Sequence, residues 1–406
     1  MLRSLISFVV HRRMLALCAT LLIAIYGIYS YLHTAIEAYP DVTNVQVGVI
    51  AQAPGLAPEE VERQITQPLE RELNGTPGLM SLRSESYFGL SMINLVFDDN
   101  ADSFKARAEV AQRLPQADLP QGVTPQMAPD YTPLGKIYYY RLQSDRHTLA
   151  QLRTEQEWHV TRVLKQIQGV ADIVSIGGFV KEFHVEVDPQ KLYSLDISLE
   201  EVGDALAKSN RNVGGGMLRR GEQSLIVRGI GLLGKPEDIQ RVVVAMRGEQ
   251  AVTIGDVARV FQSHTPRQGS VGMDEHDDVV EGIVLLKRGE NPSLVLDQIH
   301  LKVDQLNGGE LPEGMKLVTS YDRSTLVGHT LATVQHNLLF GAVLIVSVLW
   351  LVLRSVRGSL IVATVIPLSL LVAFIGLHWL GMPANLISMG AIDFGIMVDG
   401  AVVLAE

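Results

Sequence analysis

Long uncharged apolar runs constrain this chain more than any other feature. Residues 14–32 read MLALCATLLIAIYGIYSYL and contain no charged side chain. A helix needs about 20 mostly apolar residues to cross a bilayer, and this run is long enough. Residues 335–353 and 359–380 are two further such segments. A fourth starts near Pro383 and continues to Glu406. Between the first and second lie about 300 residues of ordinary soluble composition, room for about two to three domains.

Arginine placement sets the orientation. Arg3, Arg12 and Arg13 precede the first span, and Arg354 and Arg357 follow the second. Basic residues mark the cytoplasmic side. Residues 1–13 are therefore expected in the cytoplasm and 14–34 as the first span. The large polar block then lies outside, in the periplasm of a Gram-negative cell, with the spans in its inner membrane. A cleaved signal peptide is the competing reading of the first span. Its apolar stretch is too long, and no small-x-small cleavage site follows.

Net charge excludes one class. Thirty-four Lys and Arg against 44 Asp and Glu give −10, which argues against a nucleic-acid partner. The single cysteine, Cys18, excludes an internal disulfide and a cysteine-cluster zinc site. There is no GxSxG, HExxH or P-loop motif, so no enzyme activity and no cofactor is expected.

The polar block reads as α+β. From Val42, VTNVQVGVIAQAP alternates like a strand. APEEVERQITQPLERELNG follows, with Val61, Ile65 and Leu69 four apart, an amphipathic helix that Pro68 would kink. The strands LMSLRSES and SMINLVFD come next, then a helix over about 102–114. The order β-α-β-β-α is the split βαβ of ferredoxin-like domains. A second copy is expected from KIYYYRLQ (strand), 149–166 (helix), ADIVSIGG and KEFHVEVD (strands) and LEEVGDALAKSN (helix). Gly214, Gly215 and Gly216 read as a flexible turn in a hairpin-like stretch. A further strand–helix pair, 269–287 and 292–306, and then a strand at 316–320 lead back to the membrane.

The sharpest chemical signal is ANLISMGAIDFGIMVDGAVVLAE, where Asp393, Asp399 and Glu406 interrupt the fourth apolar segment. One charge at the centre of a membrane helix costs about 2.5–3.5 kcal/mol. On a helix Asp399 and Glu406 share a face, with Asp393 turned by about 120° and about 9 Å away along the axis. Three carboxylates stepped through an apolar helix fit a proton relay. The plain alternative for Glu406 is a helix end near water.

These residues carry a family resemblance. YPDVTNVQV (39–47), APGLAPEEVER (53–63), SNRNVGGG (209–216), YDRSTLV (321–327), IPLSLL (366–371) and AIDFGIMVDGAVVLAE (391–406) resemble the resistance–nodulation–division (RND) efflux permeases. Asp399 followed by Gly400, with the DFG aspartate Asp393, is similar to the cobalt–zinc–cadmium type heavy-metal branch. Multidrug members typically have paired aspartates there. The resemblance implies a homotrimeric inner-membrane proton antiporter. Its partners would be lipid, a periplasmic adaptor and an outer-membrane channel. It implies porter subdomains at 35–130 and at 131–177 plus 272–330, a docking subdomain inserted at 178–271, and a fourth span at 384–406. It also implies proton translocation by Asp393, Asp399 and Glu406. Family members are built of two similar halves and this chain resembles the first. The second would supply the basic partner of the carboxylates and the periplasmic metal ligands, so the isolated chain is expected not to transport.

The exported substrate is expected to be a divalent metal cation, and its ligands are open. The densest donor run is Asp274, Glu275, His276, Asp277 and Asp278. Adjacent residues rarely converge on one ion and the run matches no ligand spacing, so a solvated turn is the ordinary reading. Twelve methionines are compatible with a soft-metal substrate, yet most lie where Met is packing filler. A multidrug exporter of the same fold and a non-transporting truncated protein are the alternatives.

Overall fold

A computed structural model describes residues 11–34, 36–37, 41–267, 269–275, 278–354 and 356–385. The chain divides into two compact units: 1–141, 160–175 and 282–406 form one, and 142–159 with 176–281 the other.

In the first unit, helix α1 (Arg13–His33) is the first apolar segment and β1 (Ile36–Glu37) follows it. Strand β2 (Gln46–Gln52) buries Val47, Val49 and Ala51 on one face, as its period of two requires. Helix α2 follows as Pro58–Val61, a π-turn at Glu62–Thr66, and Gln67–Leu73. Val61, Ile65, Leu69 and Leu73 are fully buried, one apolar stripe at a spacing of four. Pro68 does not break this helix. It stands just past the π-turn, where the widened turn absorbs its missing N–H. Strands β3 (Leu79–Tyr87) and β4 (Leu90–Phe97) form a hairpin, and Gly89 takes the left-handed backbone its turn needs (φ +69°). Asp102 caps helix α3 (Ser103–Arg113) by accepting from the Phe104 and Lys105 N–H groups. With β5 (Gln126–Met127), the sheet order is β3-β4-β2-β5.

The second sheet of this unit contains β6 (Lys136–Ser144), β7 (Val170–Ile176), β8 (Val280–Leu286) and β9 (Met315–Asp322), in the order β9-β6-β8-β7. Numbered along their own sequence, the strands of both sheets run fourth, first, third, second. The helix between β6 and β7 (149–164) repeats the π-turn of α2, at Gln156–Val160. Helix α4 (Pro292–Gln305) links β8 to β9. One expectation is corrected. KEFHVEVD is not the third strand of the second copy: Lys181–Val187 pairs with Ala258–His264 instead, and β8 takes that place about 100 residues later in sequence. The β7–β8 connection of the fold therefore carries a large insertion.

The second unit holds that Lys181–Val187/Ala258–His264 ribbon, helices Pro189–Ser194 and Leu199–Ser209, and two further hairpins. Its core includes Val202, Ile239, Ile254 and Val257. The hairpin Val213–Arg220/Gln223–Gly229 is exposed along both strands. Gly214–Gly216 lie on its first strand and not in a turn; Gly221 makes the turn.

Helix α5 (Arg323–Leu353) enters the second apolar segment without a break from β9. The third segment is two helices, α6 (Val356–Ala363) and α7 (Val365–Leu380), where one span was expected. Pro367 stands in the first turn of α7, where its lack of an N–H costs no helical bond. Strand β10 (Ala384–Asn385) pairs in parallel with β1. Among the described residues α1 is the one helix long and apolar enough by itself to cross a membrane.

Helices α1 and α7 pack closely because Gly27 has no side chain: a Cβ there would stand 2.6 Å from the Leu371 Cβ. Tyr31 meets Phe374 edge to face, and the Trp379 Nε1–H donates to the Tyr26 hydroxyl at 2.8 Å. These aromatic groups sit at one end of both helices, as at a membrane–water boundary. Gly27→Val should overpack this contact and destabilise the purified protein by about 1–3 kcal/mol. Gly376→Ala, on the partner helix α7 but facing open space, should leave the thermal unfolding midpoint unchanged or raise it.

Candidate functional site

At that end of α1 and α7 the first unit contains a cavity of about 550 Å³. Five chain segments meet around it: the end of α1 with β1, the loop before β6, the β8–α4 turn, the start of α5, and the α7–β10 turn. Its charged lining is mixed. Glu37, Asp41 and Glu290 face the same space as Lys287, Arg288 and Arg323.

Each of these is placed by local chemistry. Asp322 caps α5: one carboxylate oxygen accepts the Ser324 N–H at 2.8 Å, and the other accepts from His300 Nε2 at 2.6 Å. That cap sets the next residue, Arg323, into the protein, where it is only 5% exposed and donates to the Leu134 carbonyl. Arg288 Nη1 and Nη2 donate to the Thr43 and Asn44 carbonyls at 3.2 and 2.8 Å. Its Nε is buried without a hydrogen-bond partner.

The two carboxylates near the membrane end are tuned in opposite directions. Burial pushes the Glu37 carboxyl up from its ordinary value; Arg323 opposes this and Asp41 adds to it. Burial acts the same way on Asp41. There, hydrogen bonds from Thr43 and Thr132 and the charge of Arg288 outweigh it, and the carboxyl is held below its ordinary value. Of the two, Glu37 is the more readily protonated and Asp41 the less.

In the sequence Glu37 carries no signal of its own, and Asp41 and Arg323 stand out only as members of the motifs YPDVTNVQV and YDRSTLV. The available signal was that YPDVTNVQV and YDRSTLV both flank membrane segments. The residues singled out for proton transfer, Asp393, Asp399 and Glu406, lie outside the described residues, as do His276 and Asp277. The rest of the acidic run lies in the second unit. Asp274 adopts a left-handed turn conformation (φ +53°). Asp278 lies 2.8 Å from Arg267 Nη1, within ion-pair distance but off the hydrogen-bond direction. Among the described residues no three His, Cys, Asp or Glu side chains gather into a metal-binding group.

Apolar helices are thus joined to two sheets of the same ferredoxin-like strand order, with a charged cavity at the junction. The AcrB/AcrD/AcrF family profile matches residues 5–406, and the chain belongs to that family of RND transporters. It is 41% identical over 418 residues to the cation efflux system protein CzcA of Alcaligenes sp. (strain CT14), covering 100% of this chain and 39% of that protein. The cobalt-zinc-cadmium resistance protein CzcA of Cupriavidus metallidurans matches at the same identity and coverage. The cation efflux system protein CusA of Escherichia coli K12 is 37% identical over 404 residues, 98% of this chain and 38% of CusA. A crystal structure of a heavy metal efflux pump superposes with a TM-score of 0.91 at 43% identity, over 98% of this chain and 40% of that one. The chain thus spans about two fifths of the length of these relatives.

Arg323→Met should show how the cavity is balanced. It strands the Leu134 carbonyl, at about 1–3 kcal/mol, and lowers the thermal midpoint. It also removes the charge that opposes burial at Glu37. The infrared band of a protonated carboxyl should then persist to higher pH than in the unsubstituted protein, and Glu37→Gln should abolish that band.

Proposed function

We propose that this protein is the inner-membrane permease of a tripartite efflux system, exporting divalent heavy-metal cations in exchange for protons. The observation that carries the reading is similarity along the whole chain to heavy-metal efflux proteins, at 41% identity to CzcA and 43% to a heavy metal efflux pump of known structure. The metal reading fits the sequence of the fourth apolar segment, with Asp393 in its DFG and Asp399 before Gly400. In this account Asp393, Asp399 and Glu406 relay protons across the membrane. Metal capture belongs to residues elsewhere in the complete pump, since the acidic run at 274–278 has Asp278 beside Arg267.

Assembly as a homotrimer that meets an adaptor and an outer-membrane channel is part of the proposal. The exposed hairpin Val213–Arg220/Gln223–Gly229 supports it. Met217, Leu218, Leu225 and Ile226 on it are all open to solvent. Apolar side chains displayed in this way mark a surface that another chain covers.

The test is metal tolerance in a strain stripped of its own metal pumps. Expression of the full-length protein should raise zinc, cobalt or cadmium tolerance, and Asp399→Asn should return it to the empty-vector level with unchanged membrane abundance. Drug tolerance without metal tolerance would favour an organic-compound exporter. Unchanged metal tolerance in Asp399→Asn would remove Asp399 from the relay.

A further inference from the structure

We propose that Glu37 is the carboxylate that takes up protons at the periplasmic face and hands them toward the fourth apolar segment. The inference rests on the proton-antiport reading above and adds the point at which protons enter.

Three features of the structure converge on Glu37. The first is position. Glu37 lies four residues beyond the end of α1, in strand β1, and its register partner across the parallel pairing is Asn385. Asn385 stands at the start of the fourth apolar segment, and Asp393 follows it by eight residues in sequence. The ladder therefore fixes Glu37 beside the start of the segment that carries the relay carboxylates.

The second feature is access. Glu37 lines the cavity of about 550 Å³, ample space for several waters. The walls are polar enough to hold such waters: Thr34, Thr132, Asn291 and the charged groups all face inward.

The third is the electrostatic setting. His33 from α1, His378 from α7, Arg323 from α5, and Lys287, Arg288 and Glu290 from the β8–α4 turn face the cavity with Glu37 and Asp41. Arg288 is turned to the Thr43 and Asn44 carbonyls, and Arg323 to that of Leu134. Neither cation makes a salt bridge with Glu37, so its carboxylate is free to change charge. Partial burial favours the neutral acid. Asp41, held ionised by its hydrogen bonds, cannot serve the same purpose.

The step balances simply. A proton from periplasmic water binds the Glu37 carboxylate to give the neutral acid. It leaves through the cavity water, and the carboxylate returns. No other reactant is consumed.

The test uses the full-length protein in proteoliposomes, with zinc transport followed as the pH on the periplasmic side is varied. The unsubstituted protein should transport, and Asp399→Asn should not. Glu37→Gln should be slowed about tenfold or more near about pH 7.5, where free protons are scarce, and should recover toward the unsubstituted rate near about pH 5.5. Glu37→Asp should keep most of the rate. Equal rates for Glu37→Gln and the unsubstituted protein at every pH would overturn the proposal. So would a loss by one constant factor at every pH, the mark of a structural role. If the unsubstituted protein showed no proton-coupled zinc transport, the functional reading itself would fall, and this inference with it. A second measurement does not depend on the variant folding. A hydrophobic carbodiimide, which attacks protonated sheltered carboxyls, should label Glu37 in the unsubstituted protein more at low pH than at high pH. Absence of that label at any pH would also overturn the proposal.

Discussion

The short parallel pairing of Ile36–Glu37 with Ala384–Asn385 is the constraint on which the membrane end of this structure depends. It ties the chain leaving the first apolar helix to the chain about to start the fourth apolar segment. Around it, Tyr31, Ile36, Leu370, Phe374, Leu377 and Ala384 form a small apolar cluster. Gly27 lets the two helices beneath approach to side-chain contact with Leu371. Without that closeness the two strands would not reach each other. The cavity above them would lose its floor, and Glu37 would stand in open water as an ordinary carboxylate.

The sheets beyond the apolar helices supply the opposite wall through the same economy of connections. Both sheets use the strand order fourth-first-third-second, so each places a strand–helix turn and a strand end at comparable positions. In the second sheet, the β8–α4 turn brings Arg288 to the Thr43 and Asn44 carbonyls. The last strand runs straight into α5 through Asp322 and Arg323. Asp322 acts on both sides of that junction, as helix cap and as partner of His300. One aspartate thus links the second sheet to helix α5 and aims a buried arginine at the cavity wall.

Much of this was legible in the sequence. Val61, Ile65, Leu69 and Leu73 announce a helix because their spacing leaves one face apolar, and the Gln46–Gln52 alternation announces a strand. What misled was pairing at long range. KEFHVEVD is as good a strand as β8 by local pattern, and nothing in a period of two says which sheet it joins. The glycines at 214–216 have the composition of a turn but sit on a strand, where Gly215 alone meets a close neighbour: a Cβ there would stand 2.8 Å from Val227 Cγ1. The cavity was the least legible. It gathers residues from 33 to 383, and only the folded chain brings Glu37, Asp41, Arg288 and Arg323 to one place. The proposed relay carboxylates Asp393, Asp399 and Glu406 stand out for the converse reason: a charge inside an apolar run is conspicuous in sequence alone.

The most direct measurement is a cross-link between the two strands that close the membrane boundary. Ile36→Cys with Ala384→Cys, in full-length protein freed of other cysteines by Cys18→Ser and like changes, should form an intramolecular disulfide on mild oxidation, since register partners meet the Cα separation of less than about 7 Å that the bond needs. Leu32→Cys with Ala384→Cys serves as the comparison and should not cross-link. An efficient bond in the first pair alone is the predicted result. No bond in the first pair, or equal bonding in both, would contradict the placement of Glu37 beside the start of the fourth segment.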